Sequence, residues 1–222
     1  MTPDLLIVGA GPAGLAAAIE ARARGLSVLL LDENEAAGGR IWQAQERRPA
    51  KDADDEFALR TIEAFRGSGA EVRFGATVWA IEPANTVYWS EAGRAHTATA
   101  GRVLLCTGTT ERPLPVPGWT LPGVMTVGGA QIALKTAGLV PSGATWIAGQ
   151  GPLLLLYAAQ ALRAGGRIAG ILDLSDPAAR WNAFRHLPGA LRTPALLAKG
   201  IAWRREIRRA GVSWLRADSL RA

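Results

Sequence analysis

The chain predicts an α/β protein built from two successive strand–turn–helix units, and three observations predict it. An apolar stretch runs into a glycine-rich turn and an apolar helix at residues 5–25, LLIVGAGPAGLAAAIEARARG. The same opening returns at residues 146–160, WIAGQGPLLLLYAAQ. In each unit an aspartate, Asp32 or Asp173, ends the apolar stretch that follows the helix. Strands alternating with helices in this way imply a parallel sheet in each unit.

Each element follows from local sequence. Residues 4–9, DLLIVG, are short, apolar and ended by glycine, the pattern of a buried parallel strand. Pro12 suits a first helical turn, and the Ala- and Leu-rich helix after it stops at Gly25. SVLLLD, 27–32, is the next strand. RIWQAQERRPAKDADD is polar and broken by proline, so a loop over the surface is expected. EFALRTIEAFRGSG is helical, with Phe57, Ile62 and Phe65 on its apolar side. From EVRFGATVWAIEP onward short strands are expected, NTVYWS and AHTATA forming an antiparallel hairpin joined at EAGR. RVLLCTG, 102–108, returns as a buried strand. TTERPLPVPGWTLPG is rich in proline and glycine and marks a crossing between domains, placed between residues 115 and 116. A helix over about 126–137 leads to the second opening: strand ATWIAG, glycine turn, helix to Ala164, strand RIAGILDL.

Composition excludes several classes. With 49% hydrophobic and 20% charged residues the balance is that of a globular protein. No apolar run reaches the ~20 residues of a membrane-spanning helix. Pro3 and Asp4 stand where a signal peptide would be basic. The single cysteine, Cys106, makes no internal disulfide, no Cys-x-x-Cys pair and no cysteine metal cluster, so no metal and a cytoplasmic location are expected. The net charge of +6 is almost wholly arginine, lysine occurring only at Lys51, Lys135 and Lys199. Its densest run, WRREIRRAG at 203–211, reads as an amphipathic helix setting Ile201, Trp203 and Ile207 against a solvated basic side. An acidic partner subunit or phosphate contacts are the alternatives. No zinc-finger, helix-turn-helix or aromatic RNA-binding signature supports nucleic acid.

Gly9, Gly11 and Gly14 form Gly-x-Gly-x-x-Gly between a strand and a helix, with Pro12 and Ala13 opening that helix. The first glycine permits the tight turn, the second lets the backbone approach a pyrophosphate, and the third lets the helix sit close to the strand. The helix N-terminus offers free N–H groups and partial positive charge to phosphates. Asp32, at the tip of the second strand, is placed to accept hydrogen bonds from ribose hydroxyls. Strand, triplet, helix, strand and acid in this order predict a Rossmann-like dinucleotide-binding domain. Gly38 and Gly39, just beyond, suit a backbone passing close to the ligand.

GAGPAGLAAA and LLLDENEAAGGRIWQ together resemble the FAD half of flavoproteins with two dinucleotide-binding domains, the pyridine nucleotide-disulfide oxidoreductase type. CTG, with Thr107 and Gly108, stands where that family ends a strand beside the flavin. Val78 matches the position whose backbone meets the adenine. Residues 109–143 are similar to the α subunits of opine oxidases, hydroxyproline and proline dehydrogenases, and hydrogen cyanide synthase. Two departures stand out: Arg40 replaces a usual glutamine, and Cys106 replaces a commoner alanine, a packing substitute by size. With no second cysteine, disulfide-reductase chemistry is not expected.

In the second unit Gly149 and Gly151 match the first two glycines, followed by Pro152, but Leu154 holds the third position. The helix there must stand off the strand or pack around the leucine. Asp173 lies 22 residues after Gly151, against 21 from Gly11 to Asp32. An acid at that tip favours NAD over NADP; the resemblance leaves room for another adenine nucleotide. The expected arrangement is a Rossmann-like FAD-binding domain with a small antiparallel hairpin layer, 1–115, then a second, incomplete Rossmann-like NAD(P)-type domain, 116–222. The resemblance implies a C-terminally truncated member whose FAD sheet lacks a closing strand and exposes an edge. It also implies an FAD-dependent subunit of a hetero-oligomeric enzyme oxidising an amino acid or opine-like secondary amine. An NADH-dependent flavin reductase and a non-catalytic scaffold are the rivals. His96 and His186 sit in no catalytic constellation, and Trp42, Trp79, Trp89 and Trp119 suit cores as well as a flavin border, so no catalytic residue is named.

Overall fold

A computed structural model describes residues 2–50, 53–113, 115–176, 178 and 182–216. Its contacts divide the chain into two compact units, Met1–Thr110 and Glu111–Ala222.

The first unit runs β1 (Leu5–Val8), α1 (Pro12–Ala23), β2 (Val28–Asp32), a 3-10 turn (Gln45–Arg47) and α2 (Ala53–Gly67). Then come β3 (Glu71–Phe74), β4 (Thr77–Glu82), β5 (Thr86–Glu91), β6 (Arg94–Thr99) and β7 (Arg102–Leu105). Strands β3-β2-β1-β7 form a parallel sheet, and β4-β5-β6 an antiparallel one. Strand alternation sorts the side chains into two layers. Ile7, Val28 and Leu30 pack with Leu15, Ala18, Ile62 and Phe65 of the helices. Leu6, Leu29 and Leu31 pack with Val87 and Trp89 of the antiparallel sheet. β2, paired on both edges and covered on both faces, is buried at every position. The sheet's lower end is tied by Asp4, whose Oδ2 accepts from the Ser27 hydroxyl at 2.6 Å and the Ser27 amide at 2.7 Å. Those donors hold its carboxyl below the ordinary aspartate range.

Four expectations are corrected here. Phe57 is 57% exposed, packed edge-on against Trp42, and Ala58 is buried instead. Positions 58, 62 and 65 share one helical stripe, which 57 leaves by a full residue's rotation. The RVLLCTG strand ends at Leu105 and is not buried: among the described residues β7 pairs only with β1, leaving Leu104 and Leu105 exposed. The loop after Gly39 does not stay on the surface, because Gln45 is 1% exposed; its last residues already belong to α2. Ile201 is 53% exposed, whereas Ile207 is fully buried and Trp203 half-buried.

The second unit runs α3 (Val127–Ala137), β8 (Thr145–Gly149), α4 (Pro152–Arg163), β9 (Ile168–Asp173), α5 (Pro194–Arg209) and β10 (Ser213–Arg216). Its parallel sheet has the order β10-β9-β8, half of the doubly wound pattern. α3 is capped twice: the Thr126 hydroxyl accepts from Gly129 N, and the Glu111 carboxylate accepts from Gly128 N at 2.6 Å. Ile147, Ile171, Tyr157, Ala158 and Ile207 form the core, and Arg163 joins α4 to α5 through a two-pronged bond to Glu206. The arginines 204, 205, 208 and 209 are all exposed, as an Arg-rich outer face requires. ADSLRA, residues 217–222, lies outside the described residues. Among the described residues, no helix is long and apolar enough to cross a membrane, and no cluster of His, Cys, Asp and Glu could hold a metal ion.

Strands β5 and β6 meet at a two-residue turn, Ala92–Gly93, with φ of 48° and 75°. Both values are positive, the geometry of a type I′ hairpin turn, and alanine is a poor fit to it. Ala92→Asn is therefore expected to stabilise the chain by about 0.5–1 kcal/mol, read as a higher urea midpoint at unchanged slope.

Candidate functional site

The first glycine turn is held by the protein on three sides. Gly9 adopts φ +109°, and a methyl on it would strike the Cys106 carbonyl oxygen of β7's exit. A methyl on Gly14 would overlap the Gly9 carbonyl oxygen, so α1 rests directly on the strand end. A methyl on Gly39 would come within 2.9 Å of the Gly11 Cα, and Gly38 N donates to Ala10 O at 2.8 Å. The loop at 38–39 therefore docks against the turn. Gly11 differs: a methyl there meets nothing within 4 Å. Its φ of −74° would suit any residue. The chain's own packing does not demand glycine at that position, but a ligand backed closely against the turn would.

Asp32 is 6% exposed at the tip of β2. Its Oδ2 accepts from Ala10 N at 2.5 Å, and its Oδ1 accepts from Asn34 N and Asn34 Nδ2 at 2.7 and 2.8 Å. The acid that the motif assigns to a ribose thus also clamps the turn. With one protein donor, Oδ2 keeps acceptor capacity for a further hydroxyl. The glycine motif alone does not point to Asn34, although an Asx residue two positions past an acid is a recognisable turn signal.

The remaining positions are less closely gathered. Thr107 follows Cys106 at the turn's underside, its amide near Gly9. Gly108 is exposed with φ +74°, and Arg40 is exposed beside Gly39. Val78 is half-buried in β4, paired with Trp89, and packs with Val8 against the core between the two sheets. The loop beyond Gly39 buries polar groups that its irregular sequence hid. Gln43 Oε1, Gln45 Nε2 and Arg48 Nε are buried without partners, although Arg48 Nη2 does donate to Gln45 Oε1. Buried polar atoms left unpaired are costly, so they suit a polar ligand or ordered water. Cys106 packs against the helix-side core, and burial pushes its thiol above the ordinary range. His96 stacks on Trp89 at 5.5 Å, and His186 is exposed in the turn Phe184–His186. Trp89 is core, Trp42 half-buried, and Trp79 and Trp119 exposed.

The second turn solves the same geometry differently. Leu154 is 6% exposed in the core, and a methyl on Gly149 would only touch its side chain at 3.7 Å. α4 is packed around the leucine. Gly151, at φ +88°, caps the helix with open space above it. Asp173 pairs in register with Gly149, and its Oδ1 accepts from Ser175 N at 2.9 Å. The extra residue in the Gly151–Asp173 interval is a bulge: Thr145 pairs with Ile168 but Trp146 with Gly170, leaving Ala169 unmatched. α1 and α4 have equal lengths of 12 residues. Gly170 has no side chain because the Trp146 ring lies over it.

A family model described as pyridine nucleotide-disulphide oxidoreductase matches residues 3–165. An opine oxidase subunit from Agrobacterium tumefaciens (strain Ach5) is 43% identical over 219 residues, covering 93% of this chain and 43% of that relative. Hydrogen cyanide synthase subunit HcnB of Pseudomonas aeruginosa is 38% identical over 179 residues, covering 76% and 38%. The chain therefore spans less than half the length of these relatives. The crystal structure of L-proline dehydrogenase from P. horikoshii superposes with TM-score 0.63 at 19% identity, over 78% of this chain and 36% of that one, and so shares the fold.

Two outcomes follow from the packing. Gly14→Ala should cost more than about 3 kcal/mol of stability, whereas Gly11→Ala should cost under about 1 kcal/mol, in urea unfolding of the ligand-free chain. Cys106 should react with iodoacetamide at pH 7.5 at least tenfold more slowly than free cysteine, since both burial and a raised thiol pKa suppress the thiolate.

Proposed function

Because the chain belongs to the pyridine nucleotide-disulphide oxidoreductase family, we propose that it is the nucleotide-holding part of an FAD-dependent oxidoreductase acting on a small amine, amino acid or opine-like secondary amine. The carrying observation is Gly11, left open by the chain's own packing at the head of α1, between Asp32 and the 38–39 loop. An FAD pyrophosphate fits there. The amides of Ala13 and Gly14, in the first turn of α1, have no partner within the helix and would donate to it. No acidic residue stands in that turn to oppose the charge. Asp32 Oδ2 would accept from the adenine-side ribose. Gly9, Pro12, Gly38, Gly39, Arg40, Val78, Thr107 and Gly108 complete the proposed site.

When bound, FAD supplies the two-electron acceptor that oxidation of a C–N single bond requires. The residues of this chain hold, orient and shield it, and none is assigned as a proton donor or acceptor. Residues 1–115 are proposed as the FAD domain and 116–222 as a second nucleotide domain, in a protein of the cytoplasm. Gly149, Gly151, Pro152 and Asp173 would hold NAD or another adenine nucleotide. The relatives named as subunits support a hetero-oligomer in which other polypeptides complete the enzyme. A second reading, an NADH-dependent flavin reductase, is favoured by the retained second turn with Asp173 at its lip.

Purified protein supplied with FAD is expected to retain absorbance at about 375 and 450 nm. Gly11→Ala should bind FAD at least tenfold more weakly while unfolding like the parent. Bleaching by an amine substrate supports the first reading and bleaching by NADH the second. A stable, colourless protein that takes up no FAD rejects both and leaves a scaffold.

A further inference from the structure

Asp32 is clamped from two sides, and the clamp decides how much of its carboxylate a ligand can reach. Oδ2 lies on the side of the glycine turn, where Ala10 N donates to it at 2.5 Å. Oδ1 lies on the side of Asn34, which donates to it twice, from its backbone N at 2.7 Å and from Nδ2 at 2.8 Å. The backbone bond closes an Asx turn over Glu33. An ionised carboxylate has about four acceptor sites, two on each oxygen. Among the described residues three are filled, so Oδ1 is saturated and Oδ2 keeps one. Asn34 is itself held in place. Its carbonyl oxygen accepts from Gly75 N at 3.1 Å, and the Asp32 carbonyl oxygen accepts from Ala76 N at 2.9 Å. The bend after β2 is thus tied both to the glycine turn and to the turn between β3 and β4. Swinging Oδ1 toward a ligand would break both Asn34 bonds at a carboxylate that is only 6% exposed.

Resting on the assignment of this turn to an FAD pyrophosphate and of Asp32 to the adenine-side ribose, we propose that Asn34 is a positioning residue that restricts Asp32 to a single ribose hydroxyl. An acid free on both oxygens can accept from both hydroxyls of the sugar, and such a site rejects the loss of either. Strong discrimination arises only where a missing hydroxyl leaves a buried polar partner unpaired. Oδ2 is such a partner; Oδ1, already bonded twice within the protein, is not. The ligand class admitted is therefore an adenine dinucleotide that carries the one hydroxyl facing Oδ2, with or without the other. Asn34 is exposed, so its side chain serves the clamp and not the core.

The probes are FAD and two analogues of it that carry 2′-deoxyadenosine or 3′-deoxyadenosine, each measured by equilibrium dialysis against the full chain. The parent is expected to bind one analogue at least about tenfold more weakly than FAD, and the other less than about threefold more weakly. Asn34→Ala removes the Nδ2 donor and opens an acceptor site on Oδ1. The analogue that the parent tolerates should then bind at least about fivefold more weakly than FAD. A loss of structure alone would weaken all three ligands by the same factor and leave these ratios unchanged, which would overturn the role of Asn34. Equal losses for the two analogues in the parent, or no loss for either, would overturn recognition of a single hydroxyl. That comparison uses unaltered protein, so it decides even if the variant fails to fold. A folded parent that takes up no FAD rejects the cofactor assignment and this inference with it, whereas uptake of FAD with the wrong ratios rejects the inference alone.

Discussion

Helix α1 sits on β1 so closely that no methyl group fits between them. A side chain on Gly14 would overlap the Gly9 carbonyl, and one on Gly9 would strike the backbone at Cys106. That approach brings the N-terminus of α1 to the mouth of the sheet and leaves the space above Gly11 open. Asp32 then ties the turn to β2 through Ala10 N, while Asn34 holds the other carboxylate oxygen. A buried acid with both oxygens engaged is a rigid element, since loss of either partner would strand a polar group away from water. The 38–39 loop docks on the result. Turn, acid and loop form one mutually braced unit, and the proposed phosphate cradle is its unfilled face.

The second unit shows what happens when that constraint is relaxed. Leu154 in place of the third glycine turns the strand–helix contact into ordinary side-chain packing, and the leucine joins the core of its unit. The helix keeps its length, and the spare residue in the interval to Asp173 is absorbed as a bulge in β9. The aspartate therefore still arrives opposite Gly149. Both units place an acid at the same point of the same topology, by tight backbone contact in one and by a leucine and a bulge in the other.

Among the described residues the two parallel sheets end differently. β7 pairs with β1 and presents Leu104 and Leu105, an apolar margin, whereas β10 pairs with β9 and carries its half-buried Trp214 beneath Arg204 of α5.

Much of the fold could be read directly, because strands, glycine turns and helices announce themselves through local periodicity and backbone conformation. The order of elements, the two turns, the hairpin at Ala92–Gly93, the clustering of Gly9, Gly11, Gly14 and Asp32, and the exposed arginines of α5 are all of this kind. Other features needed three dimensions. Phe57 and Ile201 are apolar residues one step off a buried stripe, and only the neighbouring layer determines the stripe's width. Leu105 looks like core in a run of apolar residues and is exposed because, among the described residues, its strand has one neighbour. Gln45 looks like loop surface and is buried because the loop folds back toward α2. Local sequence determined which backbone shapes form; burial, clamping and open edges depend on which elements lie alongside, and those contacts join residues far apart in the chain.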